Sequence, residues 1–217
     1  MKIENYKSKI SSDGITLIEI IIAIFIIVLF SLIITANFPG IQRQFALSRT
    51  AYKLAQDLRK AQNMALSGIK MTDGSESPMP ISVQGYGVYI DLSNQPTEQY
   101  LIYADVDGDQ KYDGGSASPI FCSNVNQASN GALKSDCVVE IIDVSKENPN
   151  LFIESISNIS STYTSINFKP PDPTVNIDNR CLSCPNGSTI GIKLGLATDS
   201  SSERTVQVNT SGLIGVK

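Results

Sequence analysis

Gly14-Ile15-Thr16-Leu17-Ile18-Glu19 opens an apolar stretch that continues to Ala36, and the reading of this stretch decides the fold. Residues 15–36 carry one formal charge, Glu19, among Ile, Leu, Val, Phe and Ala. As a helix these 22 residues measure about 33 Å, against a hydrocarbon core of about 30 Å. They suffice for one membrane crossing, and no later segment is comparably apolar. Residues 1–14 are polar, with Lys2, Lys7 and Lys9 against Glu4 and Asp13, and read as a short cytoplasmic leader. The positive-inside rule is not decisive, because Arg43, Arg49 and Lys53 flank the other end. A secretory signal peptide is the competing reading, but its apolar core is normally shorter and no A-x-A site follows.

Beyond this run, Asn37-Phe38-Pro39-Gly40 predicts a kink or local break, since Pro39 lacks an amide donor and Gly40 loosens the backbone. Helix then resumes. Ala51, Leu54, Ala55, Leu58, Ala61, Ala65 and Leu66 recur at three- and four-residue steps, with Arg49, Lys53, Gln56, Lys60 and Asn63 largely opposite. Such a stripe predicts packing on a sheet, with Gly68 as C-cap. After Gly68, β-prone runs at 86–92, 99–104, 138–144, 165–168, 189–196, 204–208 and 213–216 alternate with turn residues, the pattern of antiparallel sheet. Segments 105–136 and 170–187 read as surface loops. The expected class is α+β: a long N-terminal helix, membrane-spanning in its first half, packed on an antiparallel β-sheet head. The expected divisions are a leader 1–14, a spanning helix 15–36, an amphipathic helix 37–68 and an exoplasmic β-rich head 69–217.

Charge and cysteine usage narrow the function. Residues 42–70 hold six basic residues and one acid, whereas residues 71–217 hold eight basic and seventeen acidic ones. A head this acidic repels phosphate backbones, which disfavours nucleic acid as a partner. The chain has no His, which removes Ser-His-Asp and Cys-His nucleophile pairs and His-ligated zinc. Cys122, Cys137, Cys181 and Cys184 all follow the apolar segment, and an even count suits disulfides in an oxidising compartment. Sequence-local pairs, Cys122–Cys137 and Cys181–Cys184, are favoured. A four-thiolate zinc site is the rival, but only Cys181 and Cys184 form a CxxC.

Glu19 raises the sharpest question. A carboxylate inside an apolar span is costly, by about 2.5–3.5 kcal/mol at mid-helix and less toward the interface. One reading is an interfacial side chain without a role. The other follows from cutting the bond after Gly14, which gives Ile15 a free amine. Glu19 lies one turn away in the same chain and could equally neutralise that amine on an adjacent subunit. Either pairing converts an expensive charge into a specificity device.

These residues, a glycine, an apolar residue and then Thr16-Leu17-Ile18-Glu19 before an apolar run, resemble the signal of type IV prepilins and pseudopilins. Ile15 stands where the family usually has Phe. The resemblance implies cleavage between Gly14 and Ile15 by a prepilin peptidase, N-methylation of Ile15, and a role for Glu19 in aligning subunits. Pro39 falls where family helices often bend. The stretch from Ala51 to Leu66 is similar to the basic, alanine-rich helix of GspH/FimT-type minor pseudopilins. Tyr86-Gly87-Val88-Tyr89, Tyr103-Ala104-Asp105 and a closing hairpin with Gly212 at its turn agree in order. Departures are the longer leader, Asp13 before the cut, and the insert carrying Cys181 and Cys184.

The resemblance implies a structural subunit of a pilus or of a type II secretion pseudopilus, with no enzymatic activity. Its expected partners are other pilin or pseudopilin subunits, the prepilin peptidase, an inner-membrane assembly platform, and membrane lipid before assembly. The expected location is the cytoplasmic membrane as a single-pass protein with its head exoplasmic, then the filament. A DNA-binding minor pilin for DNA uptake and an uncleaved anchor with an exoplasmic binding domain are the alternatives. No resident cofactor is expected, with calcium as the one candidate. Asp105, Asp107, Asp109 and Asp113 occupy positions one, three, five and nine of a calcium-loop pattern. That pattern is incomplete, with Gln110 in place of the sixth-position Gly and Ser116 in place of the twelfth-position Glu. A solvated acidic turn is the alternative.

Overall fold

The computed structural model describes residues 14–72, 80–114, 119–124, 136–171, 175–180 and 188–217. The leader as far as Asp13, and Cys181 with Cys184, lie outside the described residues. One helix, α1 (Leu17–Leu66), contains the apolar run, Pro39 and the amphipathic stripe. Of the kink or local break expected at Pro39 and Gly40, the break is absent, because helix is continuous across both. A proline removes one rung of the i→i−4 ladder, and the turns on either side go on. The chain divides into two compact units, Met1–Gln42 and Arg43–Lys217.

Within the first unit, Leu17–Thr35 is long and apolar enough to cross a membrane, with a mean hydropathy of 3.3. Its large apolar side chains are exposed all round. A helix apolar on every face needs lipid or other helices around it.

In the second unit, α1 buries one stripe: Leu47, Ala51, Leu54, Ala55, Leu58, Ala61, Met64 and Ala65. Leu66, expected on that stripe, is exposed. The helix stops where the sequence says. Gly68 takes φ +60°, its N–H reaches Ala65 O at 3.1 Å and Ile69 N–H reaches Met64 O at 3.3 Å. These two bonds define a Schellman cap, which favours glycine at the left-handed position.

The stripe packs into one core with residues from two antiparallel sheets. Strands β1 (Met71–Thr72) and β2 (Pro80–Ile81) form a short ribbon. The first large sheet joins β3 (Gly85–Asp91), β4 (Gln99–Asp105), β5 (Cys137–Asp143), β7 (Tyr163–Phe168) and β8 (Val175–Ile177) in the order β5-β4-β3-β7-β8. The second joins β6 (Leu151–Ser157), β9 (Thr189–Leu196), β10 (Asp199–Asn209) and β11 (Ile214–Val216) in the order β11-β10-β9-β6. Gly212, at φ +84°, closes the β10–β11 hairpin as expected. None of the expected runs covers β1, β2, β6 or β8. Strand β6 carries the alternation Leu151 and Ile153 buried, Glu154 exposed, while β8 lies inside the expected loop 170–187. Helix and sheet are also tied by polar contacts: Tyr100 OH donates to Asp57 at 2.6 Å, Arg59 to Ile214 O at 2.9 Å and Lys60 to Glu140 at 2.6 Å.

Strand β4 is buried on both faces. Tyr100, Ile102 and Ala104 join the main core, whereas Leu101 and Tyr103 join Val138 in a second cluster on the other face. On that face Gly87 is paired with both Tyr103 and Asn167. The missing side chain of Gly87 leaves room for the Tyr103 ring, whose hydroxyl meets Asn167 Nδ2 at 3.2 Å. A Cβ at Gly87 would lie 2.5 Å from Tyr103 Cε1. Because Tyr103 is fully buried, Gly87→Ala is expected to cost about 1–3 kcal/mol by overpacking. Urea unfolding of the full chain in detergent measures this, and an unchanged midpoint would contradict the packing.

Candidate functional site

Two places gather the residues singled out by the sequence. At the first, Thr16 caps α1. Its carbonyl accepts from Glu19 N–H at 3.1 Å and Ile20 N–H at 3.3 Å, and its hydroxyl accepts from Glu19 N–H at 3.4 Å. With Leu17 as the first helical residue, Thr16 is the N-cap and Glu19 the third position. Thr-x-x-Glu is the residue pattern of a capping box. This helix-start signal is present in the sequence beside the charge and motif readings of Glu19. A carboxylate in the first turn also complements the positive end of the helix dipole. Gly14 and Ile15 are exposed, so the bond between them is accessible.

The second place is the end of β4. Asp105 closes the strand and organises the turn that follows. One of its oxygens accepts from Gly108 N–H at 2.7 Å, and the other from Gln110 N–H at 3.2 Å and Asn167 Nδ2 at 3.2 Å. Gln110, which replaces the glycine of a calcium loop, takes φ +67°, and Gly108 takes φ +84°. The turn therefore keeps left-handed geometry without the expected glycine.

Opposite Asp105 stands a residue the sequence reading missed. Strands β4 and β5 pair with Ala104 facing Cys137, so Asp136 comes directly across from Asp105. One oxygen each from Asp105, Asp107 and Asp136 lie within 4.8 Å of one another. Of the four expected calcium ligands, then, two belong to the cluster. Asp109 accepts from Lys111 N–H at 2.8 Å, and Asp113 accepts from Asp136 N–H at 3.1 Å. Asp107 likewise accepts from Asp109 N–H at 3.1 Å, so it is the cluster of oxygens that sets Asp105 and Asp107 apart from Asp109 and Asp113. The disulfide Cys122–Cys137, with Cα atoms 4.9 Å apart, anchors the residue next to Asp136.

The electrostatics of this pair are unusual. Asp105 and Asp136 are 0% and 1% exposed. Like charges directly opposite across strands repel, and none of the ion pairs among the described residues involves either of them. Burial raises the pKa of Asp105, against the hydrogen bonds from Gly108 and Gln110. Burial likewise pushes Asp136 up to about 8, opposed by the Val106 N–H and reinforced by the charge of Asp105.

Among protein-family profiles, curated proteins and solved structures, none matches this chain.

A carboxyl group with a raised folded-state pKa binds its proton more tightly in the folded chain than in the unfolded one. Its contribution to stability therefore falls as pH rises from the ordinary carboxyl range to about 8. In chelator-treated buffer, wild-type chain is expected to lose stability relative to Asp136→Asn between about pH 5 and pH 8. Denaturant melts followed by circular dichroism check this, and parallel pH profiles for the two chains would contradict it.

Proposed function

We propose that this chain is a type IV pilin-like subunit of the GspH/FimT minor pseudopilin kind, cut after Gly14 and assembled through its N-terminal helix. The observation that carries the reading is the conjunction at the head of α1. A Thr16-capped helix begins three residues after an exposed glycine, carries the one acid of its apolar run at Glu19, and presents an uncovered apolar surface as far as Ile34.

Cleavage gives this arrangement a chemical purpose. The new amine of Ile15 would sit at the positive end of the helix, where a cation is unfavourable. Glu19, one turn in, offsets that cost within the chain or on a neighbour. Membrane lipid covers the apolar surface before assembly, and neighbouring helices cover it afterwards. The head is exoplasmic in this reading, which suits the Cys122–Cys137 disulfide. The chain acts as a minor component of a pilus or secretion pseudopilus, with prepilin peptidase and an inner-membrane assembly platform as partners. It performs no catalysis of its own.

Co-expression with its assembly partners tests the role of Glu19. Glu19→Ala is expected to insert in the membrane and to lose residues 1–14 normally. Its cross-linking to neighbouring subunits falls by at least about tenfold, since removing one partner of a desolvated charge pair costs several kcal/mol. Cross-linking equal to wild type would contradict an assembly role for this carboxylate.

A further inference from the structure

We propose that Asp105, Asp107 and Asp136 hold a divalent cation of the calcium type at the β4–β5 end of the five-stranded sheet. The acidic cluster alone would not carry this. A separate observation does: Asp136, 1% exposed, has its Oδ2 buried without a hydrogen-bond partner. Its other oxygen accepts from Val106 N–H at 2.9 Å, which leaves Oδ2 as the acceptor that protein donors do not fill. Buried carboxylate oxygens in native proteins are nearly always satisfied, and an orphaned one on a carboxyl group directly across strands from a second buried carboxylate is costly unless a cation or a proton is bound there.

The dimensions agree. Oxygens on opposite sides of a calcium ion are separated by at most about twice the 2.3–2.6 Å bond length. Three donors within 4.8 Å of one another thus fit round one such ion. The donors are hard oxygens without nitrogen or sulfur, the set that takes calcium, magnesium or manganese rather than zinc or copper. Gly108 N–H and Asn167 Nδ2 on Asp105, and Val106 N–H on Asp136, hold the carboxylates in orientation, as outer hydrogen bonds do round metal ligands. Asp107 is exposed and gives the ion its path in, along with water to complete the coordination. Tyr112 OH is likewise buried without a partner, and its ring lies 5.3 Å from that of Tyr103, beside the β4 segment that ends at Asp105.

This site differs from the sequence-derived calcium loop in one essential way. Asp136 immediately precedes β5, distant in sequence, so the ion ties the 105–113 turn to the start of β5 instead of being wrapped by the turn alone. The competing account of the orphaned oxygen is a proton held by the carboxyl pair, with no ion.

The test uses the full chain in detergent, stripped with chelator and titrated with calcium chloride by calorimetry, with tyrosine-sensitised terbium luminescence as a second readout. One saturable site is expected, with a Kd on the order of 10⁻⁴ M or tighter. Asp107→Asn and Asp136→Asn each weaken it at least about tenfold, while Asp109→Asn changes it less than about twofold. Asp107 is exposed, so its variant carries the test even if Asp136→Asn fails to fold. Absence of saturable binding of calcium, magnesium and manganese would overturn the proposal in favour of the shared proton. Equal weakening by Asp109→Asn and Asp107→Asn would overturn it in favour of diffuse attraction to an acidic surface.

Discussion

Every large apolar side chain between Ile15 and Ile34 is exposed, from 77% at Leu17 to 44% at Leu29. Burying one such side chain is worth about 1.5–3 kcal/mol, so a run of this length demands a covering that the chain itself does not provide. That unmet demand governs what the rest of the molecule can do. Lipid would meet it in a membrane, and under the proposed function other helices of the same kind would meet it in a filament. Both solvents are apolar, so transfer between them costs little hydrophobic energy, and what remains to decide the arrangement is polar. Thr16 and Glu19 are the polar groups at hand.

The second half of α1 solves the opposite problem. Its apolar positions narrow to a stripe of small and medium residues, Ala51, Leu54, Ala55, Leu58, Ala61 and Ala65, all buried against two sheets. Alanines on this face let the helix approach the strands closely, and Asp57, Arg59 and Lys60 pin its flanks to Tyr100, Ile214 and Glu140. Two of the six basic charges of residues 42–70, Arg49 and Lys60, are paired with Glu147 and Glu140 within the unit. That weakens the case for a nucleic-acid surface here, in line with the acidic balance of the head.

The features legible in the sequence were those set by local periodicity and local turn chemistry. The three- and four-step stripe marks the packed helix face, Gly68 marks the cap, and alternating β-prone runs mark seven of the strands, six to within two residues at either end while β10 begins five residues before its run. Three things escaped for physical reasons. Strand β6 was missed because its Glu154-Ser155 interruption, where the register with β9 shifts, blurs the period of two. The break at Pro39 was expected from a missing donor, yet a helix tolerates the loss of one rung. Asp136 was invisible as a partner of Asp105 because their proximity comes from the β4–β5 register, which no window along the chain contains. The N-cap role of Thr16, whose hydroxyl accepts from Glu19 N–H, is legible in the Thr-x-x-Glu pattern.

The central claim is that α1 is an assembly helix released by a cut after Gly14. Intact-mass analysis and N-terminal sequencing of the chain recovered from its native membranes test this most directly. The account predicts a mature chain that begins at Ile15 and carries one methyl group on its amine. A chain that still begins at Met1, or one that has lost the whole apolar run through Ala36, would contradict it.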